Sequence, residues 1–114
     1  MNLPQADHVE IARDKITDYL LSPVHPDGAG KAQFFGRMGF TGEQWHVLAD
    51  ALRQLASNCP VTQVVASPHG TKYIVDGALN TPSGKSPVLR TVWIIDVGAV
   101  TPRLVTAYPH DEGD

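Results

Sequence analysis

The spacing of apolar residues changes half-way along the chain. Up to about residue 59 they recur every three or four positions, the period of a helix with one buried face; beyond it they alternate or run together, as in strands. In the first half, a short strand at 8–11 is followed by a helix over 13–21, where Ile16, Tyr19 and Leu20 sit at helical spacing. Ser22-Pro23 ends it, because the residue before a proline avoids helical backbone. Pro26-Asp27-Gly28 is a turn signature. A second short helix over 31–38 is stopped by Gly39. Thr41-Gly42-Glu43-Gln44 fits a capping box and starts a third helix over 42–57, on which Trp45, Leu48, Ala49, Leu52, Leu55 and Ala56 form one apolar stripe.

In the second half, strands at 61–67 and 71–79 flank Pro68-His69-Gly70, a hairpin connection. Residues 81–87 make a longer turn. The strand at 88–96 is apolar on both parities through Val92, Trp93, Ile94 and Ile95, the pattern of a strand covered on both faces. A last strand spans 103–108. Helices followed by a meander predict an α+β fold, with N-terminal helices packed on one face of a roughly four-stranded antiparallel sheet. The expected core is Trp45, Leu48, Leu52, Phe34, Tyr73, Val75, Trp93, Ile95 and Val105. Trp93 and Ile95 make the better core face of their strand, which turns Arg90 outward and packs Thr91 beside Trp93.

A chain of 114 residues suits one domain, read here as 1–114 with a core at about 6–109 and an acidic tail at 110–114. No apolar run reaches bilayer length, and the N-terminus lacks the pattern of a signal peptide. Cys59 is the only cysteine, so neither a disulfide partner nor a cysteine-based zinc site is expected; a reducing cytoplasm is the expected setting, although a secreted effector domain without disulfides would look the same. The net charge of −3 argues against wide binding to duplex DNA. Residues 60–109 are nevertheless mildly basic, with Lys72, Lys85, Arg90 and Arg103 against Asp76 and Asp96. That is compatible with a local phosphate contact.

Gly28-Ala29-Gly30-Lys31 looks like the end of a phosphate-binding loop, but His25 stands where the first glycine belongs and Ala32 where a hydroxyl belongs. No nucleotide cofactor is expected. His8, His46, His69 and His110 show no metal-ligand spacing, so no metal is expected either. What remains is a set of polar residues that a plain core would not place: His25 and Lys31 between the first two helices, Lys72 at the start of a hairpin strand, Arg90 and Thr91 opening the strong strand, and Thr106 and Tyr108 sharing one face of the last strand. RNA cleavage without a metal needs a base for the 2′-hydroxyl, an acid for the leaving oxygen and cations for the phosphate. Histidine titrates near neutrality, which makes His25 the candidate base or acid. Arg90 and Lys31 are candidates to hold the phosphate, and Thr91, Thr106 and Tyr108 to donate hydrogen bonds. Each has a plainer reading: His25 as a helix cap, Lys31 as a solvated lysine, Arg90 paired with Asp76 or Asp96, the threonines as ordinary strand residues, and Tyr19 and Tyr108 as amphipathic residues at the edge of the core.

Several motifs in order carry a resemblance. They are Lys15-Ile16-Thr17-Asp18-Tyr19-Leu20-Leu21, His25-Pro26 with Gly28, Lys31-Ala32 and Phe34-Phe35, then Gly70-Thr71-Lys72-Tyr73, Arg90-Thr91-Val92-Trp93-Ile94-Ile95 and Pro102-Arg103-Leu104-Val105-Thr106-Ala107-Tyr108. Together they resemble a small bacterial family known as a domain of unknown function, whose members occur alone or as C-terminal domains of polymorphic toxins. The layout is also similar to the barnase–EndoU–colicin–RelE group of ribonuclease folds. The resemblance implies a toxin-type, metal-independent ribonuclease with His25, Lys31, Arg90, Thr91, Thr106 and Tyr108 at the catalytic site and Lys72 and Arg103 as RNA or phosphate contacts. It implies RNA, tRNA included, and a small cognate neutralising protein as partners. The alternative is a noncatalytic binding module, either immunity-like or an inhibitor of a host or phage complex.

Overall fold

The computed structural model describes residues 1–25 and 29–110, so the Pro26-Asp27-Gly28 turn and the acids from Asp111 onward lie outside the described residues. Helix α1 (Arg13–Lys15) runs directly into a π-helical turn (Ile16–Leu20), closed by the Leu21 amide donating to the Ile16 carbonyl at 2.8 Å. The wider turn keeps Ile16 and Leu20 on one side, and both are fully buried. Helix α2 (Ala29–Arg37) follows, and Gly30 lies inside its first turn rather than in a loop before Lys31. Helix α3 (Trp45–Asn58) starts later than the capping pattern suggests. Thr41 Oγ1 does accept the Gln44 amide at 3.2 Å, but that bond closes a preceding turn.

The sheet is a meander in the order β1 (Val61–Ser67), β2 (Gly70–Ala78), β3 (Val88–Asp96) and β4 (Arg103–Pro109), all antiparallel. The fold is α+β, with the helices before the sheet in the chain. The expected strand at 8–11 reduces to a single parallel bridge between Glu10 and Arg103. There the Glu10 amide donates to Pro102 at 2.8 Å and its carbonyl accepts from Leu104 at 2.9 Å, closing the outer edge of β4. The core also begins before residue 6: Leu3 is buried, and the Met1 carbonyl accepts the Val61 amide at 2.7 Å.

Odd positions of β3 face the core. Leu89, Thr91 and Trp93 are fully buried together with Val75 of β2 and Ala107 of β4, beneath Leu48, Ala49, Leu52, Leu55 and Ala56 of α3. Some expected core residues sit higher. Trp45, Phe34 and Tyr73 are half-buried against the core, and Phe35, not Phe34, fills the helical layer. Ile95 lies one residue from the end of β3 and stays half-exposed. Val105 falls where the β3–β4 register shifts, an extra residue that turns it out of the core.

Candidate functional site

Residues directly opposite each other in an antiparallel pair share a face, so the register fixes what lies on the side away from α3. Three cross-strand rows emerge. Asp76, Arg90 and Tyr108 form one, Ile74, Val92 and Thr106 the next, and Lys72, Ile94 and Arg103 the last. Arg90, Thr106 and Tyr108 therefore lie together on the open face, with Lys72 and Arg103 one row further along.

Tyr19 joins this face to the helical layer. Its phenol oxygen lies 3.0 Å from Thr106 Oγ1, the bond that ties the π-turn to β4. The His25 ring meets the Tyr19 ring edge-on, with centroids 5.0 Å apart and planes at 74°. Two ammonium groups stand over the same ring, Lys15 Nζ at 5.2 Å and Lys31 Nζ at 5.3 Å from its centroid. His25 and Lys31 thus converge on a single aromatic ring that touches Thr106. Beside it opens a depression of about 460 Å³ lined by Asp14, Lys15, Asp18, Tyr19 and His25. A net positive pocket is what a phosphate clamp leads one to expect. The lining instead sets one lysine, Lys15, against the carboxylates of Asp14 and Asp18, with Lys31 standing over the Tyr19 ring beside it.

Arg90 is on the expected face but already engaged. Its Nε and Nη2 donate to the two Asp76 oxygens at 3.0 and 2.9 Å, a bidentate pair with Asp76 only 8% exposed. The guanidinium hydrogen bond holds the Asp76 carboxyl below its ordinary range, and the same bond pushes Arg90 upward. His110 Nε2 lies 3.3 Å from Arg90 Nη2, and Thr62 Oγ1 donates to Asp76 at 3.4 Å. Tyr108 pairs across from Arg90 and adds to the guanidinium's stabilisation. Arg103 is similarly bidentate to Asp96, at 2.8 and 3.1 Å, in an exposed pair. Lys72 is exposed.

Thr91 does not join the site. It is fully buried on the core face, donates to the Val75 carbonyl at 2.7 Å and accepts from Trp93 Nε1 at 2.8 Å. Its hydroxyl satisfies the indole, and one residue of parity separates it from Arg90. Tyr19, Lys15 and His110 are the site residues that sequence reasoning passed over. The four-residue spacing of Lys15 and Tyr19 along one helical segment was the available signal for that pair. Among the described residues, no group of three or more His, Cys, Asp or Glu side chains is placed to hold a metal ion, and no helix is long and apolar enough to cross a membrane.

Residues 2–111 match the family described as a domain of unknown function, DUF6883. The chain belongs to that family. No curated protein matches it. Among solved structures, a chain of the contact-dependent growth inhibition toxin–immunity protein complex from Klebsiella pneumoniae 342 has the same fold. Its TM-score is 0.71 at 20% identity, over 88% of the DUF6883 chain and 98% of the other. At that identity the likeness speaks to the fold alone.

Proposed function

We propose that this DUF6883 domain is a toxin-type ribonuclease that cleaves RNA by internal transesterification in the cytoplasm. The observation that carries the reading is the convergence of His25, Lys15 and Lys31 on the Tyr19 ring, whose hydroxyl meets Thr106 at the edge of an open sheet face. His25 takes the proton from a ribose 2′-hydroxyl, and the 2′-oxygen attacks the adjacent phosphorus. The bond from phosphorus to the 5′-oxygen breaks, and that oxygen leaves with a proton from the Tyr19 phenol. A 2′,3′-cyclic phosphate and a 5′-hydroxyl result. The proton on His25 then returns to Tyr19, which restores both groups with no external reactant consumed. Lys15 and Lys31 stabilise the charge that builds on the phosphate, and Thr106 and Tyr108 donate to its oxygens. Arg90 acts as a positioning residue, because its charge is already met by Asp76. The toxin–immunity complex in which the same fold occurs supports a partnership with a small neutralising protein.

The test is direct. Purified protein in EDTA should cut total RNA, tRNA included, and leave cyclic phosphate ends, and its expression in bacteria should arrest growth. His25→Ala should abolish both while melting at the wild-type temperature. Intact RNA at high enzyme concentration, together with normal growth, would overturn the reading. A second reading, a noncatalytic binding module on the immunity side of such a pair, is supported by the Arg90–Asp76 pairing and the balanced charge beside Tyr19. It predicts a stable protein complex that His25→Ala leaves unchanged.

A further inference from the structure

The cationic lining missing from the Tyr19 depression is found next to it. On the other side of Lys15 lies a groove of about 500 Å³, between the segment that bridges to β4, the start of β4 and helix α3. Lys15, Arg53 and Arg103 line it against the single carboxylate Glu10, over an apolar floor that includes Ile11 and Leu104. Lys15 lines both depressions, so the two are contiguous across one side chain. The groove is preformed, since the backbone bonds at 2.8 and 2.9 Å between Glu10 and the 102–104 segment fix one wall to β4.

Both arginines carry exposed partners. Arg53 bonds Asp50 at 3.1 Å with side chains 43% and 66% exposed, and Arg103 bonds Asp96 at 2.8 Å with 47% and 39% exposed. Exposed pairs of this kind contribute little and exchange readily for another anion. The bidentate Arg90–Asp76 pair contrasts with them, because the Asp76 side chain is only 8% exposed. A phosphate entering the groove meets two guanidinium groups that are free to swap partners, whereas one approaching Arg90 meets a committed pair.

We infer that this groove is a second phosphate subsite, which holds the backbone of a multi-nucleotide, single-stranded RNA segment running on from the Tyr19 site past Lys15. The assignment rests on the ribonuclease reading for the chemistry at Tyr19, but the groove is tested by binding, without turnover. The ligand is an extended strand and not a mononucleotide, because the two depressions together place cations along a path instead of around a point.

The probe is a fluorescein-labelled 2′-O-methyl RNA octanucleotide, which lacks the attacking hydroxyl. Arg53→Ala and Arg103→Ala should each weaken its anisotropy-measured affinity roughly three- to tenfold. Each should also reduce the slope of log affinity against log salt by about 0.7, the release expected for one phosphate contact on a single strand. Arg53→Lys, which keeps the charge, should recover most of the loss, and thermal melting checks that each variant folds. In cleavage, both alanine variants should lose more on an octanucleotide than on a dinucleotide. Affinity and salt slope unchanged in both variants would overturn the subsite. So would hexaglutamate binding as tightly as the octanucleotide, which would mark a groove for an acidic protein. If no RNA is cut but the octanucleotide binds through Arg53 and Arg103, the ribonuclease reading fails and the phosphate groove stands.

Discussion

Asp76 shows how one side chain decides what its neighbours do. It is 8% exposed, bound at both oxygens by Arg90, and held below the ordinary aspartate range chiefly by that bond. A carboxylate whose folded pKa is depressed stabilises the fold above its unfolded pKa of about 4, and loses that contribution as pH falls through the lower folded value. Asp76→Asn should therefore cost about 1–3 kcal/mol at pH 7, the penalty for an ionic hydrogen bond lost in a partly buried place. Thermal melts should show the gap between wild type and variant closing below pH 4. A gap that stays constant to pH 2 would show that the charge contributes nothing. Tyr19 makes a parallel case. Tyr19→Phe keeps the ring under Lys15 and Lys31 but loses the bond to Thr106, so about 0.5–1.5 kcal/mol of stability should go. Because Tyr19 is the proposed proton donor, RNA cleavage should fall at least a hundredfold. Arg90 and Thr91 were separable in the sequence, since side chains alternate along a strand. The partner of Arg90 was not settled, because Asp76 and Asp96 were equally available until the β2–β3 register chose between them.

At the scale of elements, the second half of the chain was easier to read than the first. Strands β1 and β3 were legible to their bounds, because turn residues and proline punctuate them. Helix α3 and the 13–20 segment were legible as helices but not in detail. A capping pattern marks a turn as readily as a helix start, and no local signal distinguishes a π-turn from an α-turn. Gly70, which opens β2, carries a demand that the sequence only hinted at. Its φ is +149°, and a Cβ there would run into the Ile95 carbonyl oxygen and the Asp96 backbone across the hairpin. Backbone on β3 cannot yield without breaking the Gly70–Asp96 pairing, so overpacking and φ strain act together. Gly70→Ala should destabilise the domain by about 2–4 kcal/mol, measured by urea unfolding with an unchanged m-value. A loss under about 0.5 kcal/mol would mean that the hairpin shifts freely. The expectation for Val105 missed for a related reason: a bulge leaves no mark in the alternation pattern, yet it moves every residue beyond it by one face.

For the molecule as a whole, charge is the property that links fold to function. The chain is acidic at −3, so long-range attraction to RNA is weak, and the proposed ribonuclease would depend for recognition on the few cations that the fold gathers at one edge of β4. Lys15, Lys31, Arg53 and Arg103 come from three helical segments and one strand, and only the folded chain brings them together. That is why the sequence indicated a histidine, a lysine and a sheet face but not the groove beside them. The consequence is measurable. With about four phosphate contacts on a single strand, log kcat/KM for octanucleotide cleavage should fall against log salt with a slope of about −2 to −3, far shallower than the slope of a protein that coats duplex DNA. Lys15→Ala should reduce that slope by about 0.7 on the octanucleotide, because Lys15 sits where the two depressions meet. Raising salt should slow the wild type more than the Lys15→Ala variant, so their rates should converge as ionic strength rises. Cleavage that stays rapid and salt-independent from 50 mM upward would show that contacts other than these cations hold the RNA, and would move the site away from the edge of β4.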